Sequence, residues 1–416
     1  MPRNTLAPAA ADIARRLRQL ARVSDEQGAT TRTFLSPAMS RANALVGGWM
    51  RGAGLAVRED GAGNLIGRAP GPSAASRTLL MGSHLDTVRD AGRFDGALGV
   101  LLPIAALEAV RSRGLALPFA VEVLGFSEEE GVRFSSAYLG SKAYTGRLRK
   151  SDLALRDPDG VSVGEALSRH NGRRRPLPRP AHSRGRLLGY LEVHIEQGPV
   201  LESRGLAAGV VPAIAGQTRA RVSFAGRAGH AGTTPMALRR DALAGAAEFI
   251  LEAEARAKGS APLVATVGRI AAHPGAANVI AGEAELSLDV RHPSDAARHA
   301  ALGGLRRAGL AIARRRGLAF ACEVTQDNPA VSCSAGLTAL LEESVRACQG
   351  RSVRIPSGAG HDAVILSALA PVAMLFVRCR KGLSHHPDEF VRTGDIAVAL
   401  EIVVDFLARL ASRRPR

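Results

Sequence analysis

Short apolar runs alternate with a helical pattern in the first half of the chain. Runs at Thr78–Ser83, Phe119–Phe126 and Tyr190–Ile195 predict strands, and Ala97–Ser112 predicts a helix. A strand, a helix and a strand in succession are typical of an α/β sheet with helices packed on its faces. Ligands of such sheets bind beyond the carboxyl ends of the strands, so polar residues that follow these runs are the first candidates for a site.

A different order of elements begins near Gln217. The pattern predicts strand, helix, strand, strand, helix and strand in turn, at Arg219–Phe224, Leu238–Ala257, Leu263–Ile270, Glu285–Arg291, Ser294–Arg315 and Leu318–Val324. This βαββαβ order is typical of a ferredoxin-like domain, with Ser294 as the N-cap of its second helix. The chain then returns to helices and a strand, at Leu337–Cys348, His361–Ala368, Pro371–Val377 and Asp395–Leu410.

The change of pattern predicts one domain inserted into another. We expect the inserted domain to cover residues 215–328, and the larger α/β domain to be formed by residues 1–214 and 329–416. A chain of 416 residues suits two or three domains, so the length agrees with this division.

The strong positive charge raises the question of a nucleic-acid partner. The formal net charge is +17 and the isoelectric point is near 11.1, and clustered Lys and Arg residues neutralise phosphates. The densest basic runs, Arg173–Arg175 and Arg314–Arg316, contain no interleaved aromatic residues on which bases could stack. We therefore predict no nucleic-acid partner, and we expect the segment from Arg173 to Gly185 to be an exposed loop.

Cysteine spacing and hydropathy bear on the compartment. The four cysteines show no CxxC spacing, and no stretch approaches the length of an apolar membrane span. We expect a soluble, cytoplasmic protein with no membrane partner.

Histidines and carboxylates collect where the predicted strands end. His84 and Asp86 follow the first strand, and their spacing places both side chains on one side of an extended segment. Asp95 lies in the next loop, and Glu128–Glu130 directly follow a strand. Adjacent carboxylates repel one another unless cations or solvent neutralise them. Taken singly, each group could equally be a hydrogen-bonded histidine or a solvated acidic turn.

Two further histidines, His194 and His385, add to this set of possible metal ligands. His194 ends a strand, and His385 lies in a polar loop after the strand at Pro371–Val377. Imidazole and carboxylate ligands suit zinc, manganese, cobalt or nickel without any thiolate. The coincidence of these residues at strand ends predicts two divalent ions that share a carboxylate.

Nine motifs in this order resemble the di-metal aminoacylase/carboxypeptidase-like amidohydrolases, in the branch of allantoate amidohydrolases and N-carbamoyl-L-amino acid hydrolases. The motifs are GSHLDTV (82–88), GRFDG (92–96), FSEEEGVRF (126–134), HIEQGPVLE (194–202), GHAGTTPM (229–236), NVI (278–280), DVRH (289–292), SGAGHDA (357–363) and SHHPDE (384–389). They span most of the chain, and their combination is specific to the branch although no single motif is.

The resemblance implies a ligand set and a fold. The metal ligands would be His84, Asp95, Glu130, His194 and His385, with Asp95 as the bridge and Mn²⁺ or Zn²⁺ (or Co²⁺ or Ni²⁺) as the two ions. Since His386 follows His385, the choice between these two histidines stays open. The fold would be a di-metal exopeptidase-like catalytic domain with an inserted lid and dimerisation domain, which implies a homodimer.

The resemblance also assigns catalytic and substrate residues. Glu129 would be the general base, and His230 would stabilise the oxyanion. Asp86 is a further predicted catalytic residue, which the spacing places to orient His84. The substrate would be bound by Gln197, His230, Asn278, Arg291 and Gly360. Arg291 is suited to a substrate carboxylate because its guanidinium offers a planar fork of donors. Without the resemblance, His230, Asn278, Arg291 and Gly360 would be interpreted as ordinary loop or surface residues.

The implied reaction is hydrolysis of the linear C–N bond of a small ureido acid, which releases ammonia and carbon dioxide. Residues 88–92 after the HxDT motif resemble those of allantoate amidohydrolases, so allantoate is the first expected substrate. The alternatives are an N-carbamoyl-L-amino acid and 3-ureidopropionate, as in a β-ureidopropionase. An alternative of a different class is a non-catalytic, metal-dependent binding protein, which would be expected to have lost Glu129 or a ligand.

Overall fold

The computed structural model describes residues 6–171 and 182–413. The exposed loop predicted between Arg173 and Gly185 therefore lies mostly outside the described residues. The helices are α1 (Ala7–Ala21), α2 (Pro37–Gly52), α3 (Ala97–Ser112), α4 (Leu139–Tyr144), α5 (Lys150–Ala154), α6 (Val163–His170), α7 (Val200–Ser203), α8 (Ala242–Lys258), α9 (Asp295–Arg316), α10 (Ala335–Gln349), α11 (Asp362–Leu366) and α12 (Thr393–Ser412).

The strands alternate with these helices in chain order. They are β1 (Ala56–Glu59), β2 (Leu65–Ala69), β3 (Thr78–His84), β4 (Ala120–Phe126), β5 (Leu187–Ile195), β6 (Ala208–Val211), β7 (Ala213–Ile214), β8 (Gly216–Ala225), β9 (Gly229–His230), β10 (Val264–His273), β11 (Val279–Ile280), β12 (Glu283–His292), β13 (Ala319–Asn328), β14 (Val331–Ser332) and β15 (Val372–Val377). Within the described ranges, none of the helices has the length and apolar character that a bilayer crossing requires.

The chain divides into two compact units. Unit 1 comprises Met1–Pro212, Cys333–Ile355 and Gly360–Arg416, and unit 2 comprises Ala213–Ser332 and Pro356–Ala359.

Unit 1 is built on a seven-stranded mixed sheet in the order β1-β2-β4-β3-β5-β15-β6. The central strands β4, β3, β5 and β15 are parallel, and β2 and β6 flank them antiparallel. Every residue of β3 and β4 is buried, which is why apolar residues do not alternate regularly with polar ones along these strands. Helices α1, α3, α10 and α12 share one apolar core with this sheet. The predicted α/β class is confirmed.

Unit 2 is a four-stranded antiparallel sheet in the order β10-β12-β8-β13, with α8 and α9 packed on one face. Its strand, helix, strand, strand, helix, strand sequence gives the ferredoxin-like arrangement. Burial alternates residue by residue along β8, so one face meets the helices and the other carries polar side chains. The role of this unit as a lid stays a prediction.

Candidate active site

The parallel strands of unit 1 bring distant histidines and carboxylates to one edge of the sheet. β3 ends at His84 and pairs in register with Phe126 of β4, and Glu129 and Glu130 follow that strand. β5 carries His194, which pairs with Phe376 of β15. His84 and His194 thus lie among the last residues of their strands, whereas the sequence pattern predicts that the first strand ends at Ser83, just before His84. Parallel strands all finish at the same edge, so these side chains converge.

The first candidate ligand group consists of His84, His194 and Asp95, which could hold a metal ion between them. The Nε2 atoms of the two imidazoles are 3.5 Å apart, and they lie 3.6 Å and 3.0 Å from Oδ1 of Asp95. Each Nδ1 lies 3.0 Å from a backbone carbonyl oxygen, of Asp86 and of Ile195 respectively. The carbonyl partners assign the ring proton to Nδ1, which leaves both Nε2 lone pairs directed at the same point.

The second ligand group lies on the other oxygen of the same carboxylate. His385 places Nε2 3.3 Å from Oδ2 of Asp95 and 3.6 Å from Oε1 of Glu130. The neighbouring His386 instead accepts a hydrogen bond at Nδ1 from the backbone N–H of Asp388 at 3.1 Å. Of the two adjacent histidines, His385 is therefore the one that faces Asp95.

A cation fits the space between these groups. Asp95 is buried, and no described residue presents a donor with hydrogen-bond geometry to its Oδ1. Two imidazole lone pairs and a carboxylate oxygen would repel one another unless positive charge lay between them. Since a buried polar atom without a partner costs free energy, a metal ion suits this position. Asp95, with one oxygen toward each ligand group, has the arrangement of a bridging ligand.

Three contacts fix the carboxylate and backbone of Asp95, and a fourth holds the backbone of the preceding Phe94. Its Oδ2 accepts hydrogen bonds from Oγ of Ser384 at 2.6 Å and from Nε2 of Gln197 at 3.0 Å. Glu389 accepts the backbone N–H groups of Phe94 and Asp95 through Oε1, at 2.7 Å and 3.1 Å. Oε2 of Glu389 also lies 3.1 Å from Oγ of Ser384, so these residues form one network around the bridge. Such outer contacts orient metal ligands.

Gly96 allows the close approach of Asp95 to the histidines. Its φ of 63° lies in the left-handed region, and a Cβ added there would meet Cε1 of His84 at 2.5 Å. Two ligand-loop residues, Gln197 and His385, adopt the same region with φ of 56° although they are not glycines. Backbone of this kind persists where surrounding contacts enforce it, and it is common at functional sites.

Asp86 connects the first ligand group to the predicted general base. Its two oxygens accept the backbone N–H of Glu129 at 3.0 Å each, and Oδ2 also accepts that of Glu130 at 3.1 Å. Its Oδ1 lies 3.4 Å from Nδ1 of His84, farther than the Asp86 carbonyl oxygen. The carboxylate therefore orients the Glu129–Glu130 segment first and His84 second.

The buried charges shift one another's protonation. Burial raises the pKa of Glu129 well above its ordinary value, and nearby Glu130 adds to the rise. Burial likewise raises the pKa of Glu130, to about 7. Burial opposes the charged form of His84, yet Asp86 and Asp95 raise its pKa well above the usual value. The cluster as a whole favours a positive charge at its centre.

Three of the predicted substrate residues, His230, Asn278 and Arg291, belong to unit 2. His230 pairs with Val279 in the short ribbon of β9 and β11, and the carbonyl of Asn278 accepts the N–H of Ala231 at 2.9 Å, which brings His230 and Asn278 together. Nδ1 of His230 accepts the N–H of Gly232 at 3.1 Å, so a neutral ring carries its proton on Nε2 and can donate it.

Gly360 belongs to unit 1, beside Tyr138. A Cβ at position 360 would lie only 1.8 Å from the Tyr138 hydroxyl oxygen, so only glycine fits here without a shift. Tyr138 itself has a left-handed backbone, with φ of 68°. The role of Gly360 in binding substrate stays a prediction.

Three residues of the site were not singled out from the sequence. Ser384 and Glu389 support Asp95, and the ring of His361 lies edge-on to that of His194 with centroids 4.5 Å apart. Burial, followed by the nearby His194, lowers the pKa of His361 well below its usual value. All three lie inside the SGAGHDA and SHHPDE motifs, but the motifs alone do not indicate what these residues do.

The chain matches known proteins over most of its length. The family model described as Peptidase family M20/M25/M40 matches residues 80–409. Allantoate deiminase 2 of Glycine max is 40% identical, with 95% of this chain and 88% of that protein covered. The N-carbamoyl-L-amino acid amidohydrolase of Geobacillus stearothermophilus is 38% identical, with 95% and 97% covered.

A solved structure shares the fold along the whole chain. The hydantoinase/carbamoylase family amidase from Burkholderia ambifaria superposes with a TM-score of 0.90 at 34% identity, and 98% of each chain is covered. Together with the sequence relatives, this confirms the resemblance predicted from the nine motifs. The chain therefore belongs to Peptidase family M20/M25/M40 and is an amidohydrolase of the carbamoylase-like branch.

Proposed function

We propose that this chain hydrolyses the linear C–N bond of a small ureido acid with two divalent metal ions as cofactors. The proposal rests on Asp95, whose two carboxylate oxygens face separate groups of side chains that could hold a metal ion. No described residue donates a hydrogen bond to its Oδ1. His84 and His194 would hold one ion, Glu130 and His385 would hold the other, and Asp95 would bridge them. When bound, the ions supply Lewis-acid chemistry, which polarises the carbonyl and makes the attacking water more acidic.

Glu129 is the proposed carrier of the proton. It is buried, its pKa is raised by that burial, and Asp86 holds its backbone, so it is a stronger base than an exposed glutamate and has a fixed position. It takes a proton from the water that adds to the ureido carbonyl and passes it to the leaving nitrogen as the C–N bond breaks. The amine of the acid is released, and the remaining carbamate decomposes to carbon dioxide and ammonia.

His230 and Arg291 are the proposed partners of the substrate's charges. The Nε2–H of His230 donates to the oxygen of the carbonyl as it gains negative charge, which is the step where a positioned donor helps most. The Arg291 guanidinium binds the substrate carboxylate. Asn278 and Gln197 donate and accept hydrogen bonds around the ureido group.

Allantoate is the first proposed substrate, and an N-carbamoyl-L-amino acid is the second. Relatives with both names are about equally similar to this chain, at 40% and 38% identity, so the sequence of residues 88–92 decides the order. Steady-state assays of metal-reconstituted protein with allantoate, N-carbamoyl-L-amino acids and 3-ureidopropionate test it. We expect the highest kcat/KM with allantoate; absence of turnover with every ureido acid would refute the proposed reaction.

We also propose that the protein forms a homodimer through unit 2. Large apolar side chains are exposed there, including Met236, Leu238 and Leu251 at 76%, 73% and 64%. Large apolar side chains with this much exposure are candidates for a contact surface. Light scattering coupled to size exclusion should give twice the chain mass, and a Leu251→Glu variant should shift that mass toward the monomer.

A further inference from the structure

The open face of the unit 2 sheet carries a group of interacting polar side chains. In the antiparallel register of β8 and β12, Asp289 lies opposite Arg219 and Arg291 lies opposite Gln217. Residues two apart on a strand share a face, so all four side chains project from the side opposite α8 and α9. An open cavity of about 610 Å³ is lined by Arg219, Asp289 and Arg291 among others.

Asp289 is the centre of this group. Its Oδ1 accepts a hydrogen bond from Nε of Arg291 at 2.9 Å, and its Oδ2 accepts one from Nη2 of the same side chain at 3.1 Å. Oδ2 also accepts from Nε2 of Gln217 at 2.7 Å and from Nε of Arg219 at 3.2 Å. The two arginines hold the pKa of Asp289 below its ordinary value although burial opposes them, so the carboxylate stays ionised.

These contacts determine which edge of Arg291 a ligand can meet. Asp289 occupies the edge formed by Nε and Nη2, and Nη1 donates to the carbonyl oxygen of Gly358 at 2.7 Å. The end of the guanidinium between Nη1 and Nη2 is the remaining fork, and it has the spacing for both oxygens of a carboxylate. A guanidinium held on two sides also loses less conformational entropy when the ligand binds.

We infer that Asp289 is a positioning residue that aims Arg291 at the substrate carboxylate, with Arg219 and Gln217 holding Asp289 in place. The inference rests on the proposed function, because it assumes that the cavity receives a carboxylate. Two arginines against one aspartate leave the group with a net positive charge, which suits an anion. The structure thereby assigns a specificity role to three residues beside Arg291.

Binding can be measured without turnover in a Glu129→Gln background. Calorimetric titration of the metal-reconstituted full chain would compare N-carbamoylglycine with its carboxamide, which has the same ureido group and no carboxylate. Adding Asp289→Asn keeps the size of the side chain but presents an amide N–H₂ to a guanidinium donor. We expect acid binding to weaken about 10- to 100-fold, because charge-assisted hydrogen bonds to a fixed fork are lost. Amide binding should change by less than about twofold.

A matched control is available on the same strand and face. Glu285 accepts a hydrogen bond from Nη2 of Arg269 at 2.7 Å, four residues before Asp289 and away from Arg291. Glu285→Gln removes a similar ion pair and should leave the preference for the acid unchanged. If Asp289→Asn impairs folding, Arg219→Gln serves instead, since it loosens Asp289 from one side; we expect a smaller loss of the same preference.

The outcomes separate this inference from the proposed function. An unchanged preference for the acid in both Asp289→Asn and Arg219→Gln would overturn the role of Asp289. Equal binding of acid and amide by the Glu129→Gln parent would overturn the carboxylate site itself. If the parent prefers the acid and Asp289→Asn abolishes that preference, while the protein with Glu129 intact hydrolyses no ureido acid, the proposed reaction fails and the positioning role stands.

Discussion

The two groups of predicted site residues occupy very different surroundings. In unit 1, His84, Asp95 and His194 are only 2%, 5% and 2% exposed, and each is fixed by backbone or side-chain partners. In unit 2, His230 and Asn278 are exposed and held by a two-residue ribbon. One region fixes charges in a buried cluster, and the other presents hydrogen-bond donors to solvent.

The difference in burial predicts different roles for the two regions. Charges buried together interact strongly because little water screens them, so the unit 1 cluster can shift pKa values and favour cations. Donors exposed to solvent gain less per contact and suit recognition of a ligand that replaces their water. Substitutions in the unit 1 cluster should therefore act on metal content or turnover, and substitution of Arg291 in unit 2 should act on substrate affinity.

The largest effect should follow from Glu129→Gln. The amide keeps the shape and removes the base, so kcat should fall by about 10²- to 10⁴-fold while the metals remain bound. The measurement combines turnover with elemental analysis of the purified protein. Glu108→Gln is the control, because it removes a carboxylate from an ion pair with Arg16 on α1. Its turnover and metal content should be close to those of the unaltered protein. Rapid turnover by a fully metal-loaded Glu129→Gln variant would remove Glu129 from the mechanism.

Arg291→Lys tests the proposed binding of the substrate carboxylate in unit 2. Lysine keeps the charge but loses the planar fork, so acid binding should weaken by about 1 to 3 kcal/mol, mainly as a higher KM. The loss should shrink for a matched ureido amide without a carboxylate. Metal content should be that of the unaltered protein. A variant with the original preference for acid over amide would show that Arg291 does not bind the carboxylate.

Ser384→Ala removes a hydrogen bond to Asp95 without replacing any of the proposed metal ligands. The hydroxyl donates to Oδ2 of Asp95 and contacts Glu389, so its loss should weaken metal affinity by about 10- to 100-fold. Competition with a chelator measures the affinity. Ser412→Ala is the control. Its hydroxyl lies at the end of α12 and bonds only the carbonyl of Arg409 among the described residues, so its loss should leave metal affinity unchanged. Equal affinities for the two variants would mean that the network does not hold Asp95.

The smallest effect expected is on the stability of unit 2 alone. Asp241 caps α8 by accepting the backbone N–H groups of Leu243 and Ala244 at 3.0 Å and 3.2 Å. Asp241→Ala should reduce the free energy of unfolding by about 1 kcal/mol, while Asp241→Asn should largely preserve it. Denaturant titration gives both values. A lowered metal content in Asp241→Ala would contradict the separate roles of the two units.

Local patterns in the sequence predicted the regular elements well where burial is continuous. The observed α3 has the predicted bounds, and β3 and β4 differ from prediction by one residue at an end. Helices α1 and α2 were not predicted as elements, although Ser36 caps α2 and Pro37 starts it. Their apolar stripes are narrower than the continuous runs of the central strands, so they give a weaker signal.

The candidate metal ligands could be predicted from the sequence, but the residues that hold them in place through hydrogen bonds could not. His84, Asp95 and His194 combine metal-ligand chemistry with strand ends, which a linear pattern reveals. The contact of Glu389 with the backbone of Asp95 joins residues 294 positions apart. No local spacing encodes such a pairing, because it depends on where the polar loop after β15 returns to the sheet. The same holds for Asp289, whose partners Gln217 and Arg219 lie on a neighbouring strand.

We propose that one carboxylate, that of Asp95, bridges two metal ions. Crystals of metal-reconstituted protein, measured at the absorption edge of the bound metal, give an anomalous difference map that tests it directly. We expect two peaks per chain, one beside Oδ1 with His84 and His194 and the other beside Oδ2 with Glu130 and His385. A fully loaded protein with a single peak at this site, or with its peaks away from Asp95, would contradict the account.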